Sequence, residues 1–114
     1  AALMLDWRGN IAEATGANIF LVIDGELHTP LPDCFLDGMT RRTVMELAYK
    51  RGLTIHERHI LPDELAKAEQ AFLTGTAAEV TPIGSINGEL GDYTFEVGDI
   101  TRQLMNDYTA LVNL

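Results

Sequence analysis

Asn18-Ile19-Phe20-Leu21-Val22-Ile23-Asp24-Gly25-Glu26-Leu27-His28-Thr29 is the stretch on which the fold turns. Asn18 to Asp24 is an apolar, β-branched run typical of a buried strand. Asp24-Gly25 then reads as a hairpin turn, because Gly accepts the positive φ such turns require. Glu26 to Thr29 pairs back. Pro30 to Asp33 is a loop, since its two prolines interrupt a hydrogen-bonded ladder.

Strands and helices alternate outward from this hairpin. Upstream, Leu3, Leu5 and Trp7 alternate on one face, and Arg8-Gly9-Asn10 reads as a turn. Downstream, Thr40 to Arg51 has helical spacing, with Val44, Leu47 and Ala48 on one face, Arg51 at its wet edge and Gly52 as a C-terminal cap. As an ordinary helix it would be capped by Asp37 or Thr40. Leu53, Ile55 and Glu57 alternate against Thr54, His56 and Arg58 as a strand. Pro62 suits the first turn of a short helix through Lys67. Ala71-Phe72-Leu73 and Val80 to Ile86 read as strands, and Asn87-Gly88 as another turn. A last helix starts near Asp99, a good N-cap, with Ile100, Leu104, Tyr108 and Leu111 or Val112 as its apolar stripe. Strands interleaved with helices predict an α/β or α+β domain spanning residues 1–114.

Composition narrows the function. The chain has 114 residues, 46% of them hydrophobic, which supports a packed core. Eight basic against seventeen acidic residues give a net charge of −9, which argues against a nucleic-acid partner. No apolar run reaches membrane-spanning length, and no charged segment leads into an apolar one as in a secretory signal. Cys34 stands alone, which fits a reducing cytoplasm. The chain opens directly on the strand-like Ala1-Ala2-Leu3-Met4-Leu5 with no starting Met, and reads as a cut through a larger protein. His28, His56 and His59 show no metal-ligand spacing with Cys34, so no metal site is expected. Arg41 and Arg42 suit an anion or, at least as readily, a solvated helix face. Lys50 and Lys67, the only lysines, sit on predicted helices among charged neighbours and read as solvated amines.

Two motifs point further. Glu13-Ala14-Thr15-Gly16-Ala17-Asn18-Ile19-Phe20, Leu27-His28-Thr29 and Leu36-Asp37-Gly38-Met39-Thr40-Arg41 stand at the spacing of one long signature. Gly75-Thr76-Ala77-Ala78-Glu79 follows independently. Together they resemble the class IV, or fold-type IV, aminotransferases that use pyridoxal 5'-phosphate, and the second motif resembles the branched-chain branch. Even Gly98-Asp99-Ile100-Thr101 is similar to that family's entry into its last helix. The resemblance implies most of a C-terminal, larger domain: a mixed sheet curved into a pseudo-barrel with flanking helices. It also implies a homodimer with its active site near the subunit interface. The small N-terminal domain and the strand bearing the family's Schiff-base lysine would be absent, since none of the twelve residues before Glu13 is lysine.

Such chemistry needs a lysine, a carboxylate that keeps the pyridine nitrogen protonated, and amides and hydroxyls for the phosphate. The resemblance assigns Glu13 to the pyridine nitrogen. It assigns the backbone at Met39 and Thr40 to the phosphate and Leu36 to packing on the ring. A helix N-terminus suits that phosphate, with its open amides and positive dipole end. Thr76 would bind the phosphate through its hydroxyl, and Thr76 with Ala77 would bind the substrate carboxylate; Glu79 and Pro82 are given structural roles. The implied reaction passes an amino group between a branched-chain L-amino acid and 2-oxoglutarate. The alternatives are a D-amino-acid aminotransferase or aminodeoxychorismate-lyase-like enzyme of the same fold, and a non-catalytic cofactor-binding domain.

Overall fold

The computed structural model describes residues 3–5, 11–14, 17–31, 38–75, 79–86 and 91–113. Its centre is the predicted hairpin. Strands β1 (Leu3–Leu5) and β2 (Ile11–Ala14) pair antiparallel, and β3 (Asn18–Ile23) follows, then β4 (Glu26–Thr29). Asp24 at φ 53° and Gly25 at φ 76° make the turn between β3 and β4. The chain then forms helix α1 (Met39–Lys50), β5 (Ile55–Glu57) and a 3-10 helix (Pro62–Lys67). Strands β6 (Gln70–Gly75), β7 (Glu79–Pro82), β8 (Ser85–Ile86) and β9 (Tyr93–Thr94) lead to helix α2 (Asp99–Val112). The main sheet has the order β5-β4-β3-β6-β7; β4 and β5 are parallel, and the other pairs antiparallel. It is therefore the expected mixed sheet, open rather than closed among the described residues.

Strand β3 lies mid-sheet and is buried throughout. Phe20 and Val22 face α1 and α2, packing with Leu27, Phe72, Val80, Val44, Met45, Ala48 and Leu104. The Phe20 and Phe72 rings stack at 5.1 Å. Ile19, Leu21 and Ile23 face the other way, against Ile60, Leu65, Ala71 and Phe95. Each fully buried side chain of this size contributes about 1.5–3 kcal/mol, so a two-faced central strand is what holds the layers together.

Both helix starts differ from expectation. The N-cap of α1 is Gly38 and makes no side-chain cap bond; Thr40 lies inside the helix, and Asp37 is outside the described residues. The N-cap of α2 is Gly98, not Asp99. Gln70 on β6 does the capping: its Oε1 accepts from the Thr101 N–H (2.9 Å) and hydroxyl (2.7 Å). Gly98 is required there, because a Cβ would lie 2.2 Å from Gln70 Nε2. Gly52, at φ +77°, ends α1 as expected, with Gly52 N–H donating to Tyr49 O and Leu53 N–H to Ala48 O. The predicted Val80–Ile86 strand is two strands, β7 and β8, and Leu111 and Val112 are exposed rather than part of the buried stripe of α2. The two turns predicted at residues 8–10 and 87–88 lie outside the described residues.

Candidate functional site

The sheet and its first helix draw the spaced signature residues together. Thr29 Oγ1 donates to Ile19 O at 2.8 Å, tying β4 to β3 at their shared end. One residue on, Pro30 O accepts from an Arg41 guanidinium nitrogen at 3.1 Å, and the same nitrogen reaches Glu57 Oε2 on β5 at 2.9 Å. Arg41 is 1% exposed. It is therefore a buried strut between the first turn of α1 and two strands, not the solvated or anion-binding side chain that its charge alone suggests. Arg42 is exposed, as a solvated helix face requires.

Asn18 fixes the same helix end from below. A Cβ on Gly38 would stand 2.9 Å from Asn18 Oδ1, so any other residue here would push the Asn18 side chain aside. The first α1 turn holds no acidic residue, and its first intrahelical bond runs from Arg42 N–H to Gly38 O. As first-turn residues, Met39 and Thr40 have amides that no bond within the helix uses. Met39 is 84% exposed, and its neighbour Thr40 is partly buried. First-turn amides, a positive dipole end and no carboxylate in the first turn of α1 suit a phosphate-sized anion.

Beside Asn18, in the facing register position of β6, is Thr74. It is fully buried, and its Oγ1 has no hydrogen-bond partner among the described residues. Native interiors seldom leave such a group unsatisfied. One residue further, Gly75 pairs with Glu79, whose φ of 51° turns the chain into β7. That supports the structural role expected of Glu79. Thr76 and Ala77 lie outside the described residues, as does Leu36. Glu13 is on β2, in register with Met4, and only its backbone is described.

Lys50 and Lys67 are both exposed, on α1 and on the 3-10 helix. A second cluster escaped sequence reasoning. The parallel β4–β5 pairing sets His28 beside His56, with their rings stacked at 4.6 Å, and His56 Nε2 lies 3.1 Å from Glu26 Oε1. Burial first, then the Arg58 guanidinium and His56, hold the His28 imidazole below its ordinary pKa. The Arg58 hydrogen bond likewise holds the Glu64 carboxyl below its ordinary value. The only sequence signal for this cluster was that His28 is third and His56 fourth in two predicted strands.

The fold is a mixed α/β domain in which a glycine N-cap seats the first helix close to the central strand. The family model for amino-transferase class IV matches residues 1–86, and the chain belongs to that family. It is 42% identical over 113 residues to the branched-chain-amino-acid aminotransferase of Pseudomonas aeruginosa, covering 98% of this chain and 36% of that protein. A crystal structure of the branched-chain aminotransferase from Thermoproteus uzoniensis with norvaline superposes with a TM-score of 0.90 at 40% identity, covering 97% of this chain and 36% of that one. An aminotransferase from Brucella abortus bound to the cofactor PLP also gives 0.90, at 31% identity, over 99% of this chain and 39% of that one. The chain thus spans little more than a third of the length of these relatives. No helix among the described residues is long and apolar enough to cross a membrane.

Proposed function

We propose that this chain forms the cofactor-holding part of a pyridoxal-phosphate-dependent aminotransferase that moves an amino group between a branched-chain L-amino acid and 2-oxoglutarate. The observation that carries the reading is the start of α1. Gly38 over Asn18, with the Met39 and Thr40 amides beyond it, is a cradle that a side chain would fill. The hydroxyl of buried Thr74 beside it, without a partner among the described residues, is a second feature that fits a polar group bound nearby. The relatives named above, one of them bound to PLP, support the same assignment.

In this reading the Met39 and Thr40 amides and the Thr76 hydroxyl hold the phosphate, Leu36 packs on the ring, and Glu13 pairs with the pyridine nitrogen. A carboxylate there favours the protonated ring by charge pairing. When bound, pyridoxal phosphate supplies an electron sink for charge developing at the substrate Cα. Thr76 and Ala77 hold the substrate carboxylate, which decides which face of Cα is presented for proton transfer. The proton-moving lysine is not among these residues. We assign the assembled enzyme to a cytoplasmic homodimer, consistent with the lone Cys34 and with the family resemblance.

A substrate panel on the protein from the complete reading frame tests the proposal. L-leucine, L-isoleucine or L-valine with 2-oxoglutarate should turn over faster than D-alanine. Faster turnover of D-alanine than of every branched L-amino acid would reject the assignment in favour of D-amino-acid transamination.

A further inference from the structure

The sheet has a second chemical face. Side chains alternate along a strand, so Leu27 and Thr29 face α1 while Glu26 and His28 face the opposite layer. The parallel register pairs His28 with His56 and Thr29 with Glu57. His56 therefore joins His28 and Glu26 on the face away from α1, whereas Glu57 joins Arg41 on the α1 face. Two imidazoles and a carboxylate converge there, and one donor atom from each lies within 4.8 Å of the others.

We propose that Glu26, His28 and His56 bind one divalent transition-metal ion of the zinc type. Two neutral imidazoles and one carboxylate select borderline ions such as Zn²⁺ and Co²⁺ over Mg²⁺ or Ca²⁺, which prefer all-oxygen shells. With bonds of about 2.0–2.1 Å, tetrahedral donors stand roughly 3.3 Å apart. The Glu26–His56 pair is already near that separation at 3.1 Å, and both side chains are half-exposed at 45% and 40%, so they can turn towards His28. A water completes the fourth position, as in open three-ligand zinc sites.

Arg58 is the group the ion must displace. Its Nε–H donates to His28 Nδ1 at 3.0 Å, which places the imidazole lone pair on that nitrogen. Arg58 does not depend on this bond, because Glu64 takes two bonds from it, at 3.1 and 2.6 Å, and His59 O takes a third at 3.0 Å. Exchange of one Arg58 hydrogen bond for a metal bond leaves the guanidinium paired with Glu64. The ion would clip β4 to β5, the edge strand of the sheet.

Titration of the chain with Co²⁺, followed by its visible d–d absorbance and by displacement with Zn²⁺, tests the site. One ion per chain is expected, with tetrahedral band intensity. Glu26→Gln and His56→Gln, both at half-exposed positions and so compatible with folding, should each weaken binding at least ~10-fold, since even loss of an outer-shell partner costs that much. His59→Gln should bind like the unaltered chain. No saturable binding of either ion, or binding that survives both Glu26→Gln and His56→Gln, overturns the proposal. The site lies on the opposite sheet face from the α1 cradle, so either reading can fail without the other.

Discussion

Gly38 and Asn18 show how a single missing atom can set a site. Gly38 adopts φ −68° and ψ 150°, open to any residue, so the demand for glycine is purely steric. Gly38→Ala should destabilise the chain by about 1–3 kcal/mol, the usual cost of forced overpacking. Asn18→Ala in the same chain should recover part of that loss, because the two sites are coupled by contact. Urea unfolding of the single and double variants measures it; strict additivity would mean that the contact carries no strain. Thr76 belongs to the same scale. Thr76→Ala should weaken pyridoxamine 5'-phosphate binding by about 1.5–3 kcal/mol, the value of a hydrogen bond to a charged acceptor. Equilibrium dialysis reads this directly, and unchanged affinity would reduce Thr76 to a turn residue.

Between elements, α1 and α2 are fastened by Arg51, whose guanidinium makes a two-pronged contact with Asp107, one arm at 2.8 Å. That hydrogen bond holds the Asp107 carboxyl below its ordinary value of 3.8. A carboxylate with a depressed folded pKa stabilises the fold above its unfolded pKa and loses that stabilisation as pH falls through the folded one. Asp107→Asn should therefore lower the melting temperature at pH 7, and the gap should close progressively below pH 3.8. Thermal melts across that range decide it; a gap independent of pH points to packing instead. The contrast between helix ends belongs here too. The Gly52 stop was legible because its bonds reach only to Tyr49 and Ala48. The cap of α2 was not, because Gln70 supplies it from β6, with β7, β8 and β9 intervening in the chain. Burial of Arg41 was hidden for the same reason: Pro30 and Glu57 come from separate elements.

For the molecule as a whole, local signals carried the fold. The Asp24-Gly25 turn, the apolar β3 run and the α1 periodicity were sufficient to place the central layers. The spaced signature residues Asn18, Thr29, Gly38 and Arg41 fall where β3, β4 and the start of α1 are joined, through the Asn18–Gly38 contact and the Thr29–Ile19 and Arg41–Pro30 bonds. The histidine pair was invisible, since only the parallel β4–β5 register brings it together. Exposed Lys50 and Lys67 lie on helices, outside the α1 cradle. Borohydride treatment of the chain with pyridoxal phosphate should accordingly give no stoichiometric, turnover-competent adduct at either lysine. Peptide mapping checks this, and such an adduct with turnover would assign the missing amine to this chain.

The mid-sheet position of β3 also dictates an order of assembly. Its partner β4 follows after a two-residue turn, and such hairpins close in about 1–10 μs. Its other partner, β6, is made only after α1, β5 and the 3-10 helix have been synthesised. Until Gly75 has left the ribosome, β3 carries one bare edge and the uncovered rings and branches of Phe20, Leu21 and Val22. A nascent chain in that state offers a template for pairing with its neighbours. Truncations ending before β6 should accumulate as aggregates, whereas those that retain it gain the strand that closes this edge.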